Sequence, residues 1–388
     1  MSILVVQKDT SGLRAAVMQD NRLYAYRGQQ GGGGICEEQI YLGVVDRMQK
    51  GVNAAFVKLP GGEFGFLPFD KEKHPLRSGE RVLVQVKRPP SNAKKAFLTF
   101  DIALAGQCLV LLPFGGGVSV SKRVEDEEER QTLRKLGRKL KPQSGGIVMR
   151  ANALQQTDYV EEERDLLLER WQKISKMAQT VSAPALLWDG EDVISALLRE
   201  EAGKLEYVLT NAPEALPEHL PCPVRTADEP FLLHNVEHKL ERSQHRTVRL
   251  KSGATLVIDR CEAMTVIDVN SAMAGGGKNI ADTAEKINLE AAREVARLLR
   301  LLRIGGMIVV DFIDMPTEEA KERLVQAMRQ ALENDPVKTV VYGLTQLGLL
   351  EMTRRRAETP LEALRDIPCP HCAGSGVVLE SEDDFTDA

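Results

Sequence analysis

Two short apolar runs, each carrying an aspartate, constrain this chain more than anything else in it. AMTVIDVN places Asp268 and, two residues on, Asn270; MIVVDFI places Asp311. Both are rich in β-branched residues and read as strands. Between them Ile287, Ala291, Val295 and Leu299 recur at helical spacing. The pattern predicts a helix capped at Asp282 or Thr283, reaching about Arg303 and stopped by Gly305 and Gly306. A strand, a helix and a second strand in that order can lie side by side in one sheet. A carboxylate set in an apolar strand is costly to bury unless it meets a partner or a cation. Two of them converging, with Asn270 on the same face as Asp268, would hold a hard divalent cation; Mg²⁺ takes one or two carboxylates and completes its shell with water and phosphate oxygens. The plainer alternative is that each aspartate only ends a strand. Asp314 lies close by, as a supporting carboxylate or a turn residue.

The residues after the first run, SAMAGGGKN, look like a phosphate cradle. A nucleotide-binding loop with lysine at 278 needs glycine at 272 and a hydroxyl at 279, and the chain has Ala272 and Asn279. That reading fails. The glycines become a loop beside a metal site, with Lys278 at most an accessory contact to a phosphate.

Upstream, the chain changes texture several times. ILVV, LRAAVM and RLYAY are strand-like and are followed by the connector Gly31 to Gly34. From Gln39 to about Leu104, short alternating strands separated by PGGE and PPSN suggest a small barrel. A charged helix over Glu125 to Lys141, the strand GGIVMRAN and a long helix around Tyr159 to Met177 follow. Residues 183–243 alternate strand and helix, and after MIVVDFI another helix runs from Thr317 to Asn334. His234 and His238, four apart on a predicted helix, have no third ligand in view and read as a polar helix face.

CPHCAGSG puts Cys369 and Cys372 on one turn. Structural zinc wants four ligands, and His371 is badly placed between the two thiols. Two chains sharing one zinc is the economical solution; a free cysteine pair is the alternative. Cys36, Cys108, Cys222 and Cys261 read as ordinary thiols. The first residues, MSILVVQKDTS, do not form a signal peptide, and no run is long enough for a membrane helix, which points to the cytoplasm. The net charge of −5 requires any nucleic-acid binder of this composition to gather its positive charge in patches.

The strings EAMTVIDVNSA, NLEAAREVARLLRLLRIGGMIVVDFIDM, LGLLEMTRRR and CPHCAGSG closely resemble the catalytic core of the ribonuclease E/G family. The 43-residue step from Asp268 to Asp311 and the 58-residue step from Asp311 to Cys369 fit that family's spacing. RLYAY and IYLGVVDRM, with AAFVKLPGGEFGFLP, look like its opening strand and its RNA-binding barrel.

The resemblance implies an α/β multi-subdomain fold. A split RNase H-like subdomain (1–38 and 181–243) would carry an inserted OB-fold barrel of S-one type (39–106) and a 5′-sensor subdomain (107–180). A DNase I-like catalytic subdomain (244–365), a zinc link (366–377) and an acidic tail (378–388) would follow. It also implies a Mg²⁺-dependent endoribonuclease that cuts single-stranded RNA in rRNA or tRNA maturation or mRNA turnover, leaving 5′-phosphate and 3′-hydroxyl ends. Asp268 and Asp311 would bind Mg²⁺, Asn270 would orient the scissile phosphate, and Phe56, Phe66 and Lys94 would contact RNA. Cys369 and Cys372 would form half of a zinc site shared across a homodimer.

The sensor departs from the family pattern. IVMRAN has no threonine after its arginine, the glycine loop is GGGVSVSKR, and Lys338 stands where the family has arginine. Arginine clamps phosphate with two bonds and lysine does not. Lys122, Arg123, Arg150 and Lys338 remain as a looser set of 5′-phosphate contacts. Without the family's small C-terminal domain, the expected assembly is a dimer. The competing readings are a non-catalytic RNA-binding protein of the same fold and a zinc-linked structural or chaperone protein.

Overall fold

The computed structural model describes residues 2–28, 34–49, 51–70, 72, 74–90, 94–201, 203–261, 263–271, 280–356 and 361. The chain opens with three antiparallel strands, β1 (Ser2–Asp9), β2 (Gly12–Gln19) and β3 (Arg22–Gly28). Asp20 and Asn21 turn β2 into β3 with both φ angles positive, the conformation a tight right-twisted hairpin demands.

Five strands then close a barrel: β4 (Ile40–Gln49), β5 (Ala54–Lys58), β6 (Phe64–Pro68), β7 (Arg81–Arg88) and β8 (Ala96–Thr99). The order β4-β5-β6-β8-β7 is closed by β4 pairing with β7. Alternate residues point inward, and Val45, Val57, Leu67, Val84 and Leu98 are among those that fill the interior. Closure depends on small residues, Gly43 and Gly65 among them. A Cβ added to Gly65 would sit 2.4 Å from Leu98 Cδ1, so the parallel β6–β8 contact fits only a glycine beneath it.

Next come β9 (Leu104–Ala105), β10 (Leu109–Leu112), β11 (Gly117–Val120), α1 (Glu127–Leu140), β12 (Gly146–Met149) and α2 (Val160–Thr180). The strands form a sheet in the order β11-β12-β10-β9. Asp126 caps α1 by accepting the Glu129 N–H, and three glutamates fill its first turn, where the helix dipole favours them. The buried Glu163 carboxylate of α2 accepts the backbone N–H groups of Gln107, Cys108 and Leu109 and so ties α2 to the start of β10.

β13 (Ala185–Trp188) adds to the edge of β4, and α3 (Val193–Glu200) follows with Asp192 as its cap. β14 (Leu205–Thr210) pairs parallel with β1, and β15 (Val224–Thr226) with β14. Segments 2–28 and 205–226 thus share one sheet, ordered β15-β14-β1-β2-β3. The run from 230 to 244 is two helices, α4 (Pro230–Leu233) and α5 (Val236–Gln244), because Asn235 takes a left-handed φ of 53°. His234 therefore lies between helices and His238 within the second, so the pair does not share one helical face.

The last sheet comprises β16 (Thr247–Arg249), β17 (Thr255–Arg260), β18 (Met264–Asn270), β19 (Gly306–Asp311), β20 (Thr339–Leu344) and β21 (Leu350–Arg354). Its order is β16-β17-β18-β19-β21-β20. α6 (Ile280–Leu301) links β18 to β19, and α7 (Glu318–Leu332) follows β19. α6 starts ahead of Asp282 and Thr283, so neither is its cap. Its stop also differs from the expected glycines: Arg303 takes the left-handed position at φ 56°, and the Ile304 N–H reaches back to the Leu299 carbonyl. The Arg303 guanidinium is held there by the Tyr26 carbonyl at 2.9 Å.

Ala291, Val295 and Leu299 of α6 share one continuous core with Ile267 and Ile308 of the last sheet and with Val5, Ala16 and Leu23 of the first. Among the described residues no helix is long and apolar enough to cross a membrane.

Candidate active site and nucleic-acid interface

The crossover through α6 makes β18 and β19 parallel neighbours. Their register runs Met264 to Met307, Val266 to Val309 and Asp268 to Asp311. Thr265, Ile267, Val269, Ile308 and Val310 are buried. Strand alternation then turns Asp268, Asn270 and Asp311 to the opposite, open face. Asp311 and Asn270 are exposed and Asp268 is half-buried.

Directly paired residues on neighbouring strands lie about 5 Å apart, where two carboxylates repel by roughly 1 kcal/mol in water and severalfold more at lower dielectric. One relief is present: Asn270 Nδ2 donates to Asp268 Oδ2 at 2.6 Å. The all-oxygen carboxylate set is the donor chemistry a hard divalent cation accepts, and its small number leaves room for water and phosphate oxygens. Among the described residues no three His, Cys, Asp or Glu side chains converge into a metal-holding group, so Asp314 does not complete one.

One residue that matters here escaped the sequence reading. Asn288 is fully buried in α6. Its Nδ2 donates to the Ile313 carbonyl at 2.7 Å and its Oδ1 accepts the Ile313 N–H at 3.1 Å. The side chain therefore grips the backbone two residues after Asp311 and fixes where the strand leaves the sheet. The available signal was an amide beside Ile287, on the helix side that also carries Ala291, Val295 and Leu299.

On the barrel, Phe56 of β5 and Phe66 of β6 are cross-strand partners with ring centroids 5.9 Å apart. Both are half-buried, and neither belongs to the barrel's interior cluster. Lys94 is exposed two residues before β8.

The sensor candidates separate. Lys122, Arg123 and Lys338 are exposed, and the Arg123 guanidinium donates to the Pro336 carbonyl, which brings its loop against the segment carrying Lys338. Arg150 lies deeper. Burial, and then the nearby Arg199, push its pKa down to about 10, and its buried Nε has no hydrogen-bond partner among the described residues. Glu191, Glu38 and Glu163 provide the compensating negative charge around it. Among the described residues Cys108, Cys222 and Cys261 form no disulfide, and burial lifts the Cys108 thiol to about 12. Lys278, the glycine loop, Cys369 and Cys372 lie outside the described residues.

A family model described as the Ribonuclease E/G family matches residues 103–357. The chain belongs to the ribonuclease E/G family. The family match takes in Asp268, Asn270, Asn288 and Asp311; Phe56, Phe66 and Lys94 lie before it. Similarity to individual family members reaches further. The chain is 32% identical to ribonuclease E of Synechocystis sp. over 88% of its own length and 55% of that protein's. It is 32% identical to ribonuclease E of Escherichia coli K12, over 95% of this chain and 38% of that one. It is 34% identical to ribonuclease G of the same organism, over 88% of this chain and 77% of that one. The chain thus spans about half or less of the two ribonuclease E proteins.

Proposed function

We propose that this chain is a Mg²⁺-dependent endoribonuclease that cuts single-stranded RNA in RNA processing or decay and leaves 5′-phosphate and 3′-hydroxyl ends. The observation that carries this reading is the direct pairing of Asp268 with Asp311, with Asn270 on the same face, in a chain whose relatives are named as ribonucleases. Asp268 and Asp311 would hold the cation. When bound, the cation supplies positive charge at the scissile phosphate and lowers the pKa of the attacking water. Asn270 keeps Asp268 oriented through its amide N–H, and turning that amide outward would give a donor for a phosphate oxygen. The rigid β18–β19 pair presets the distance between the two carboxylates, so little reorganisation is needed when RNA arrives.

Phe56, Phe66 and Lys94 would contact RNA on the barrel, through stacking and charge. Lys122 and Lys338 would offer single-point contacts to a 5′ phosphate, beside an Arg123 guanidinium partly engaged by the Pro336 carbonyl, with Arg150 contributing charge from beneath. Cys369 and Cys372 would share one Zn²⁺ with a second copy in a cytoplasmic homodimer. Light scattering before and after zinc removal tests that arrangement, and an unchanged mass would sink it.

The deciding experiment for catalysis uses 5′-labelled unpaired RNA with Mg²⁺, with EDTA, and with Asp268→Asn or Asp311→Asn. Wild type with Mg²⁺ should cut internally; EDTA and either variant should reduce the rate at least about a hundredfold, the scale on which lost electrostatic stabilisation acts. Equal cutting by wild type and Asp311→Asn would leave the non-catalytic alternative standing.

A further inference from the structure

The barrel carries a longer feature than the Phe56–Phe66 pair. Arg47 of β4 is the cross-strand partner of Phe56, Phe56 of Phe66, Phe66 of Phe97 on β8, and Phe97 of Arg88 on β7. One side chain from each of the five barrel strands therefore forms a single row across the outer face. Phe66 and Phe97 have ring centroids 6.0 Å apart, a step matching the 5.9 Å between Phe56 and Phe66. The Arg47 guanidinium lies over the Phe56 ring at 4.8 Å from its centroid, and that of Arg88 over Phe97 at 4.4 Å. All three phenylalanines are half-buried, both arginines are exposed, and none of the five belongs to the barrel's interior cluster.

The backbone is adjusted to place both ends of this row. The β4–β5 register shifts between Val45 and Arg47, and the β7–β8 register shifts between Val86 and Arg88. Val45 and Val86 point inward, so regular alternation would put Asp46 and Lys87 opposite the rings and turn both arginines inward. An extra residue in each strand re-aims the arginine onto the outer face, which is what a β-bulge does. Two independent bulges deliver the same kind of side chain to the two ends of one aromatic row. Among the described residues neither guanidinium is in an ion pair, so both charges remain available.

We propose that Arg47, Phe56, Phe66, Phe97 and Arg88 form one binding platform for unpaired RNA, with Phe97 and Arg88 extending it by a further base and phosphate. This rests on the RNA-binding reading of Phe56 and Phe66. The rings accept bases by stacking, and the arginines supply planar cations that both stack and pair with phosphate. The ring steps of 5.9 and 6.0 Å exceed the roughly 3.4 Å rise between bases in a stacked strand. Successive bases reach successive rings only when pulled apart, so the platform selects unpaired strands and favours uridine runs, which stack weakly on themselves, over adenosine runs.

The test measures binding of a fluorescent, unpaired uridine-rich RNA of about a dozen nucleotides by anisotropy, in EDTA so that nothing is cut. Phe97→Ala and Arg88→Ala should each weaken binding by about fivefold to a hundredfold, the range for loss of one stacked base or one phosphate contact. Phe97→Trp should bind like wild type, and its emission should change as RNA saturates the protein; this retains the aromatic ring and guards against a folding defect in Phe97→Ala. Weakening by Phe56→Ala and Phe66→Ala, with no effect of Phe97→Ala or Arg88→Ala, overturns the extended platform and leaves the underlying reading intact. No binding by wild type overturns both.

Discussion

Replacing Asn288 with leucine tests how the strand bearing Asp311 is held. The substitution keeps a side chain of similar length and removes both hydrogen bonds to Ile313, at 2.7 and 3.1 Å. Asn288 is 0% exposed, so the Ile313 N–H and carbonyl lose partners at a place that water does not easily reach. A buried polar group left unpaired costs about 1–3 kcal/mol, so two of them cost about 2–6 kcal/mol, partly offset by about 1 kcal/mol from the more apolar leucine. The urea midpoint should fall at an unchanged slope. Because Ile313 follows Asp311 by two residues, kcat should drop more than KM rises, as the carboxylate pair loses its fixed spacing.

Asn288→Asp separates the two hydrogen bonds. Its ionised carboxylate can still accept the Ile313 N–H but faces the Ile313 carbonyl without a proton. Burial raises the pKa of such a carboxyl above its unfolded value, so the variant should regain stability relative to wild type as pH falls from 7 toward 5. A leucine variant within about 0.5 kcal/mol of wild type and with unchanged kcat would refute the clamp, since that is the range of ordinary surface substitutions.

Three further outcomes are expected. The side chain of Glu191 is 6% exposed beside Arg199, and burial lifts its pKa from 4.5 to about 7 despite that partner, with Glu38 adding to the rise. A raised carboxyl pKa contributes stability below the unfolded pKa that is lost as pH climbs through the folded one, so wild type should lose about 3 kcal/mol relative to Glu191→Gln between pH 4.5 and 7, read from paired denaturation curves. Cleavage of one RNA bearing a 5′-monophosphate should exceed that of its 5′-hydroxyl form by less than about tenfold, because Lys122 and Lys338 are single-point donors and the Arg123 guanidinium is already engaged by the Pro336 carbonyl; a larger ratio in side-by-side initial rates would restore a true sensor. Gly65→Ala, whose Cβ would meet Leu98 Cδ1 at 2.4 Å, should destabilise by about 1–3 kcal/mol and weaken RNA binding with it, checked by thermal unfolding and anisotropy; an unchanged melting curve would show that Leu98 can move aside.

What the sequence reveals and conceals here follows from the periods of its elements. The pairing of Asp268 with Asp311 was approachable from sequence because apolar runs fix which residues face the core. Once β18 and β19 are neighbours, alternation forces their remaining residues onto one open face. Asn288 was hidden for the converse reason: a polar residue in a helix reads as surface until the helix is seen from every side. The glycines at 305 and 306 drew the helix stop to themselves, yet the chain turns at Arg303, whose left-handed backbone is held by a carbonyl 277 positions away in sequence. Asn235 broke a predicted helix in the same way.

The barrel row shows the limit most clearly. Strict alternation places Asp46 and Lys87 on the outer face opposite Phe56 and Phe97, a mixed surface with no direction to it. Each bulge adds one residue, reverses that parity and brings Arg47 and Arg88 over the rings. A single inserted residue leaves no mark in composition or hydrophobic period, yet it converts two buried-looking arginines into the ends of a charged aromatic track. The carboxylate pair follows from regular strand geometry, whereas the RNA platform depends on two local departures from it.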